Sequence, residues 1–180
     1  EMEREVAQEE AARRDPLTHT YNRAAFERVV SSSISNSCRD TCGILMLLDI
    51  DNFKRINDQR GHLEGDKALK LVAKTLLSTF RQEDTVGRLG GDEFLVYIQG
   101  DLPRPIVEKR LRKLLDDLRA IPENSLTSSI GLTYVRNDST SYLDYLHHAD
   151  IALYHSKHNG KDCFCFYEDL AANRGPSCSP

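Results

Sequence analysis

At 180 residues, 39% of them hydrophobic and 29% charged, the chain has the size and make-up of one soluble domain around a single core, with no room for a second enzymatic module. A formal net charge of -4 argues against a generic nucleic-acid binder, which needs a concentrated basic face, whereas a mononucleotide needs only a few local cations. The longest apolar stretch, Ile44 to Leu48, is strand-sized and far too short to span a bilayer.

Residues 1–14 are rich in Glu, Ala and Arg without Gly or Pro, and read as a helix with too few apolar positions for a core of its own. This segment reads either as the end of a stalk from an upstream sensory domain or, equally, as a solvated terminal helix, and Asp15-Pro16 stops it. A second helix is expected over residues 22–34, with Ala25, Phe26, Val29 and Val30 inward, broken by the serine-rich stretch from Ser31 to Ser37. Cys42 to Ile50 reads as a buried central strand. A short helix near Phe53 to Gln59 closes at Gly61, and a longer one from Leu63 to Phe80 carries Leu69, Val72, Ala73, Leu76 and Leu77.

Thr85 to Leu89 and Glu93 to Ile98 are strand-like runs joined through Gly90-Gly91, a dipeptide suited to a tight hairpin. Residues 103–121 are helical, with a stripe of Ile106, Val107, Leu111, Leu114, Leu115 and Leu118. Leu126 to Val135 is a strand, Tyr142 to Lys157 a helix and Cys163 to Tyr167 a last strand. The segment 169–180 is expected to be a disordered tail. Such a mixture predicts an α+β domain with a central, largely antiparallel sheet flanked by helices. Five cysteines, Cys38, Cys42, Cys163, Cys165 and Cys178, lack paired CxxC spacing and read as reduced thiols. With no charged-then-apolar leader in view, a cytoplasmic setting is expected.

Chemistry concentrates where strands end. Asp49 closes the buried strand, and Asp92 and Glu93 follow the glycine pair, so three carboxylates can converge on one edge of the sheet. Packed carboxylates repel one another unless a divalent cation absorbs their charge, and magnesium suits one or two carboxylates plus substrate phosphates. Asp49-x-Asp51 resembles the opening of a calcium loop, but Phe53 and Lys54 stand where an oxygen ligand and glycine are required. Four histidines, His147, His148, His155 and His158, share one predicted helix without suitably spaced acidic partners and are read as unliganded.

Several ordered segments then resemble one family. Arg88-Leu89-Gly90-Gly91-Asp92-Glu93-Phe94 contains the signature of the GGDEF family of diguanylate cyclases intact. Asp15-Pro16-Leu17-Thr18 with Asn22-Arg23 looks like its entry motif, and Asp49 to Lys54 with Asn57-Asp58, Gly61-His62 and Gly65-Asp66 like its nucleotide loop. Ser129-Ile130-Gly131, Ala149-Asp150-x-Ala152-Leu153-Tyr154-x-x-Lys157 and Gly160-Lys161 complete a match over residues 15–168.

The resemblance implies a sheet like the palm of nucleotidyl cyclases and polymerases, one GTP per domain, and a homodimer that condenses two GTP into cyclic di-GMP. Asp49, the Ile50 carbonyl and Asp92 would hold magnesium, or manganese in its place, with Glu93 a further ligand or the base. Asn57 and Asp66 would read guanine. Asn52, Phe53, Lys54, Gly90, Gly91, Lys157 and Lys161 would line the rest of the substrate site, with Lys161 where the family more often has arginine. Arg81 and Asp84 form an RxxD before Gly90 that looks like the inhibitory product site, with Arg112 as its supporting arginine and cyclic di-GMP as feedback inhibitor. Asp15 and Arg88 would pair, and Thr20 stands where the family usually has leucine. No nucleic acid and no direct membrane contact are expected. The other reading is a GGDEF domain that binds GTP or cyclic di-GMP without turnover, as a regulator within a larger signalling protein.

Overall fold

The apolar run at Ile44 to Leu48 lies in the middle strand of a sheet that is covered on both faces. In the computed structural model, which describes residues 9–36, 41–122 and 126–172, this strand is β2 (Thr41–Ile50). The elements around it are β1 (Tyr21–Asn22), α1 (Arg23–Asn36), α2 (Phe53–Arg60), α3 (His62–Thr79), β3 (Thr85–Gly90), β4 (Glu93–Gln99), α4 (Arg104–Arg119), β5 (Ser128–Arg136), α5 (Tyr142–His158), β6 (Phe164–Phe166) and α6 (Tyr167–Ala171). The sheet order is β1-β3-β4-β2-β5-β6. Its inner pairs are antiparallel and its two outer pairs parallel, so the largely antiparallel α+β expectation holds.

Alternation explains why β2 is apolar throughout. Ile44, Met46, Leu48 and Ile50 point to one face, against Val72 and Leu76 of α3 and Leu111 of α4. Leu45 and Leu47 point to the other, against Phe26 of α1 and Tyr145 and Leu153 of α5. A strand buried on both sides leaves no polar phase in its sequence.

Several boundaries differ from expectation for local reasons. Asn22 belongs to β1 and caps α1: its Oδ1 accepts from the Ala25 amide at 3.0 Å, so the helix starts at Arg23. The serines do not break α1 before Asn36, because Ser33 and Ser35 donate their hydroxyls back to the carbonyls of Val29 and Ser31. Leu77 and Ile106 leave their stripes, with 52% and 48% of their surface exposed; each lies one residue, a 100° rotation, from a buried neighbour. The segment set aside as a tail begins inside α6, where Asp169 accepts two hydrogen bonds from Arg104.

Residues 9–12 are helical, whereas residues 1–8 and 173–180, including Cys178, lie outside the described residues, as does Cys38. Cys163 and Cys165 are buried thiols. Thr20 is fully buried, and its hydroxyl shares a 2.9 Å hydrogen bond with that of Thr18, which satisfies the polar group where an apolar one was expected. Among the described residues no helix is long and apolar enough to cross a membrane.

Candidate active site

Register brings the acidic residues together. Asp49, the penultimate residue of β2, is the direct cross-strand partner of Glu93 at the start of β4, and the Ile50 amide donates to the Asp92 carbonyl at 3.3 Å. The turn between β3 and β4 needs glycine: Gly90 and Gly91 have φ of 150° and 51°. Arg88 holds the turn's tip, its guanidinium donating to the Gly91 carbonyl at 2.7 Å and to both oxygens of Asp15 at 3.1 and 3.2 Å.

Burial pushes the Asp49 carboxyl upward, opposed by the hydrogen bond from Lys157 and reinforced by the charges of Asp92 and Asp51. Glu93 is likewise raised, by burial first and by the charge of Asp49 second. Lys157 reaches Asp49 Oδ2 at 3.0 Å. It can do so because α5 lies directly on β5: a Cβ at Gly131 would collide with the backbone of Ala149 and Leu153, and Ser156 donates to the Ile130 carbonyl at 2.7 Å. Among the described residues no three His, Cys, Asp or Glu side chains form a ready cage for a metal. Two converging carboxylates with a carbonyl beside them nevertheless suit a hard divalent cation that takes its other ligands from phosphates.

Beside the carboxylates, β2 turns into α2 through Asn52, which has a left-handed φ of 56°, and this turn exposes the first amides of the helix at Phe53 and Lys54. Lys161 donates to Asn52 Oδ1 at 2.8 Å, so an exposed ammonium sits at the head of α2. Further along, α3 packs so closely on α2 that a Cβ at Gly65 would occupy the position of Asn57 Oδ1. The missing side chain lays the Asn57 amide against Gly65, the residue that precedes Asp66. The contacts that join the candidates are those of Asp49 with Glu93 and Lys157, of Ile50 with Asp92, and of Asn52 with Lys161.

The second predicted cluster is partly assembled. Asp84 is almost wholly buried: one oxygen accepts from the Gln99 amide at 3.0 Å, the other from the Arg81 amide at 2.9 Å and the Arg110 guanidinium at 3.2 Å. Arg81 itself is exposed, 3.6 Å from Glu83. Arg112 points elsewhere, to Glu108 at 3.3 Å, with its guanidinium 5.8 Å from the Phe164 ring. Arg110 was missed from sequence, although its position three residues after the buried Val107 puts it on the inner edge of α4. Asp51 and Ser129, recognised in the sequence only within motifs, are joined by a 2.7 Å hydrogen bond from the Ser129 hydroxyl, and Arg119 donates to Asp162 at 2.7 Å, contacts that the sequence reading did not anticipate.

The family model for the diguanylate cyclase GGDEF domain matches residues 12–163. This chain belongs to the GGDEF family. Diguanylate cyclase DgcP of Pseudomonas aeruginosa is 39% identical over 166 residues, which cover 86% of this chain and 24% of DgcP. A second relative, the cyclic di-GMP phosphodiesterase NbdA of the same organism, is 36% identical over 161 residues, 87% of this chain and 21% of NbdA. This GGDEF chain therefore spans about a quarter or less of these curated relatives. Among solved structures, the coiled coil and GGDEF domain of DgcB from Caulobacter crescentus, in complex with c-di-GMP, superposes with a TM-score of 0.80 at 25% identity and covers 89% of both chains.

Proposed function

We propose that this GGDEF domain is a diguanylate cyclase, acting in the cytoplasm, that condenses two molecules of GTP into cyclic di-GMP with release of two pyrophosphates. The observation that carries the reading is the register of Asp49 against Glu93, with Asp92 at the adjoining turn and Lys157 on Asp49. Asn57 and Asp66 would read the guanine edge; a site built from such groups rejects adenine by leaving its own acceptors unpaired. The first amides of α2, with Lys54, Lys157 and Lys161, would bind the β and γ phosphates.

Two domains would face each other, each presenting its GTP to the other. The 3′-hydroxyl oxygen of one GTP forms a bond to the α-phosphorus of the second, the α–β phosphoanhydride bond breaks, and pyrophosphate leaves; repeating the step in the opposite sense closes the ring. Asp49, the Ile50 carbonyl, Asp92 and Glu93 would hold magnesium or manganese, which supplies charge neutralisation for the phosphates and a lower hydroxyl pKa. The hydroxyl proton passes to a carboxylate of the cluster, and Glu93 is the candidate. Arg81, with Asp84 and Arg110 beneath it, is proposed to meet the product as a feedback inhibitor.

The similarity to NbdA supports one other reading, in which the domain binds GTP or cyclic di-GMP as a regulatory part of a longer protein. Incubation of the chain with GTP and magnesium, followed by chromatography, separates the two. Formation of cyclic di-GMP with two equivalents of pyrophosphate supports the cyclase, whereas tight GTP binding without product supports the regulator.

A further inference from the structure

Asp51 stands two residues after Asp49, and both of its carboxylate oxygens are engaged outside the Asp49–Glu93 pair. It is 7% exposed. Its Oδ1 accepts from the Ser129 hydroxyl at 2.7 Å and its Oδ2 from the backbone amide of Asp162 at 3.0 Å. Asp162 lies in a run of three residues with positive φ: Gly160 at 103°, Lys161 at 63° and Asp162 at 51°. Two consecutive non-glycine residues in the left-handed region are uncommon and persist only where the surroundings over-determine them.

The surroundings do so from three sides. Asp51 holds the Asp162 amide. Arg119, from α4, donates to Asp162 Oδ2 at 2.7 Å and to its carbonyl at 3.3 Å. The Lys161 amide donates to the Ser156 carbonyl at 3.1 Å. What the turn delivers is the Lys161 ammonium, on Asn52 Oδ1, and Asn52 directly follows Asp51 in the chain. One peptide unit therefore joins the residue that grips the turn to the residue that the turn's lysine meets. Released from this grip, the strained turn would relax, and a side chain as long as lysine would be carried away from the head of α2.

We infer that Asp51 is a positioning residue that, together with Arg119, fixes the left-handed Lys161-Asp162 turn and so sets the cation that meets the phosphates. The inference rests on the cyclase reading, in which Lys161 faces the phosphates of GTP. The roles then separate: Asp49 gathers charge for the reaction, and Asp51 aims the lysine.

The test is a double-variant cycle read by calorimetry, with GTP and GMP as probes in the presence of magnesium. Asp51→Ala is expected to weaken GTP binding by about tenfold, the lower end for one charge-assisted contact, and to leave GMP binding unchanged. On a Lys161→Ala background the same substitution is expected to cost nothing further. Equal losses for GTP and GMP, or additive losses in the double variant, overturn the inference, because they place the effect on the carboxylate cluster or the fold. Arg119→Gln supplies the second variant, since this side chain is one-third exposed and pairs with Asp116 and Asp162, not with Asp49 or Glu93. It is expected to show the same GTP-selective loss, smaller and again absent when Lys161 is alanine. If Asp51→Ala does not fold, the Arg119 cycle alone decides, and additivity there overturns the inference. Failure of the unaltered chain to bind GTP overturns the cyclase reading and this inference with it. Normal binding and turnover with an unaffected Asp51 variant overturns this inference alone.

Discussion

The Lys157 ammonium stands 3.0 Å from Asp49 Oδ2, so a cation from the last turn of α5 neutralises the carboxylate at the end of the central strand. Lys157→Met removes that charge and leaves Asp49 to burial and to Asp92. The KM for GTP is expected to rise by about tenfold, the scale of one lost charge-assisted contact, in a steady-state assay of pyrophosphate release.

Glu93→Gln separates catalysis from stability. The carboxyl is raised by burial and by the charge of Asp49, so its ionisation works against the fold. Its contribution to stability is present below the ordinary value of 4.5 and is lost as pH rises through the higher folded value. The variant is expected to lose turnover by at least about 100-fold while melting no lower than the unaltered chain at neutral pH, and to lose part of this pH dependence. A markedly lower melting temperature would refute the electrostatic account.

Asp15 gives the opposite sign. Burial would raise its carboxyl, but the hydrogen bonds from the Thr18 hydroxyl and amide and from Arg88 outweigh it and hold the group below its ordinary 3.8. The stabilisation is present above pH 3.8 and disappears as pH falls through the lower folded value. Asp15→Asn is expected to cost about 1–2 kcal/mol at pH 7 and to flatten the acid limb of a stability-versus-pH curve from urea melts.

Gly65→Ala tests the guanine rim. The added methyl would displace the Asn57 amide, so GTP affinity is expected to fall by about tenfold or more, with discrimination against ATP falling alongside. Calorimetry with both nucleotides reads the effect, and unchanged GTP binding would remove Asn57 from the proposed site.

Arg81 and Arg110 should behave differently although both adjoin Asp84. Arg110 faces a carboxylate only 1% exposed, so Arg110→Ala leaves a buried charge without its partner and is expected to cost about 3 kcal/mol in chemical unfolding. Arg81→Ala, at an exposed side chain, is expected to change stability by less than about 0.5 kcal/mol and to relieve inhibition by cyclic di-GMP. Unchanged inhibition would refute the product-site assignment.

Local signals carried most of the fold into the sequence. The two-sided burial of β2 appears as an unbroken apolar run, the hairpin as Gly90-Gly91 between strands, and α4 as a stripe from Val107 to Leu118. The Asp49–Glu93 pairing was inferable because each residue ends or begins a strand beside a recognisable turn. The grip of Asp51 on Asp162 was not, because it joins residues 111 apart through one backbone amide, which no side-chain pattern records. Arg110 was a question of phase: it follows the inward Val107 by three residues and reaches Asp84, whereas Arg112 on the same helix meets Glu108. The serine-rich end of α1 misled because serine hydroxyls that favour turns also bond within a helix.

The brevity of the two border strands limits how copies of this domain can meet. β1 has two residues and β6 has three, so neither rim offers a ladder long enough for a foreign strand to continue. Growth of the sheet from one molecule into the next is disfavoured at both rims, and the encounter that the proposed reaction requires is left to helices and loops, contacts that can form and part again.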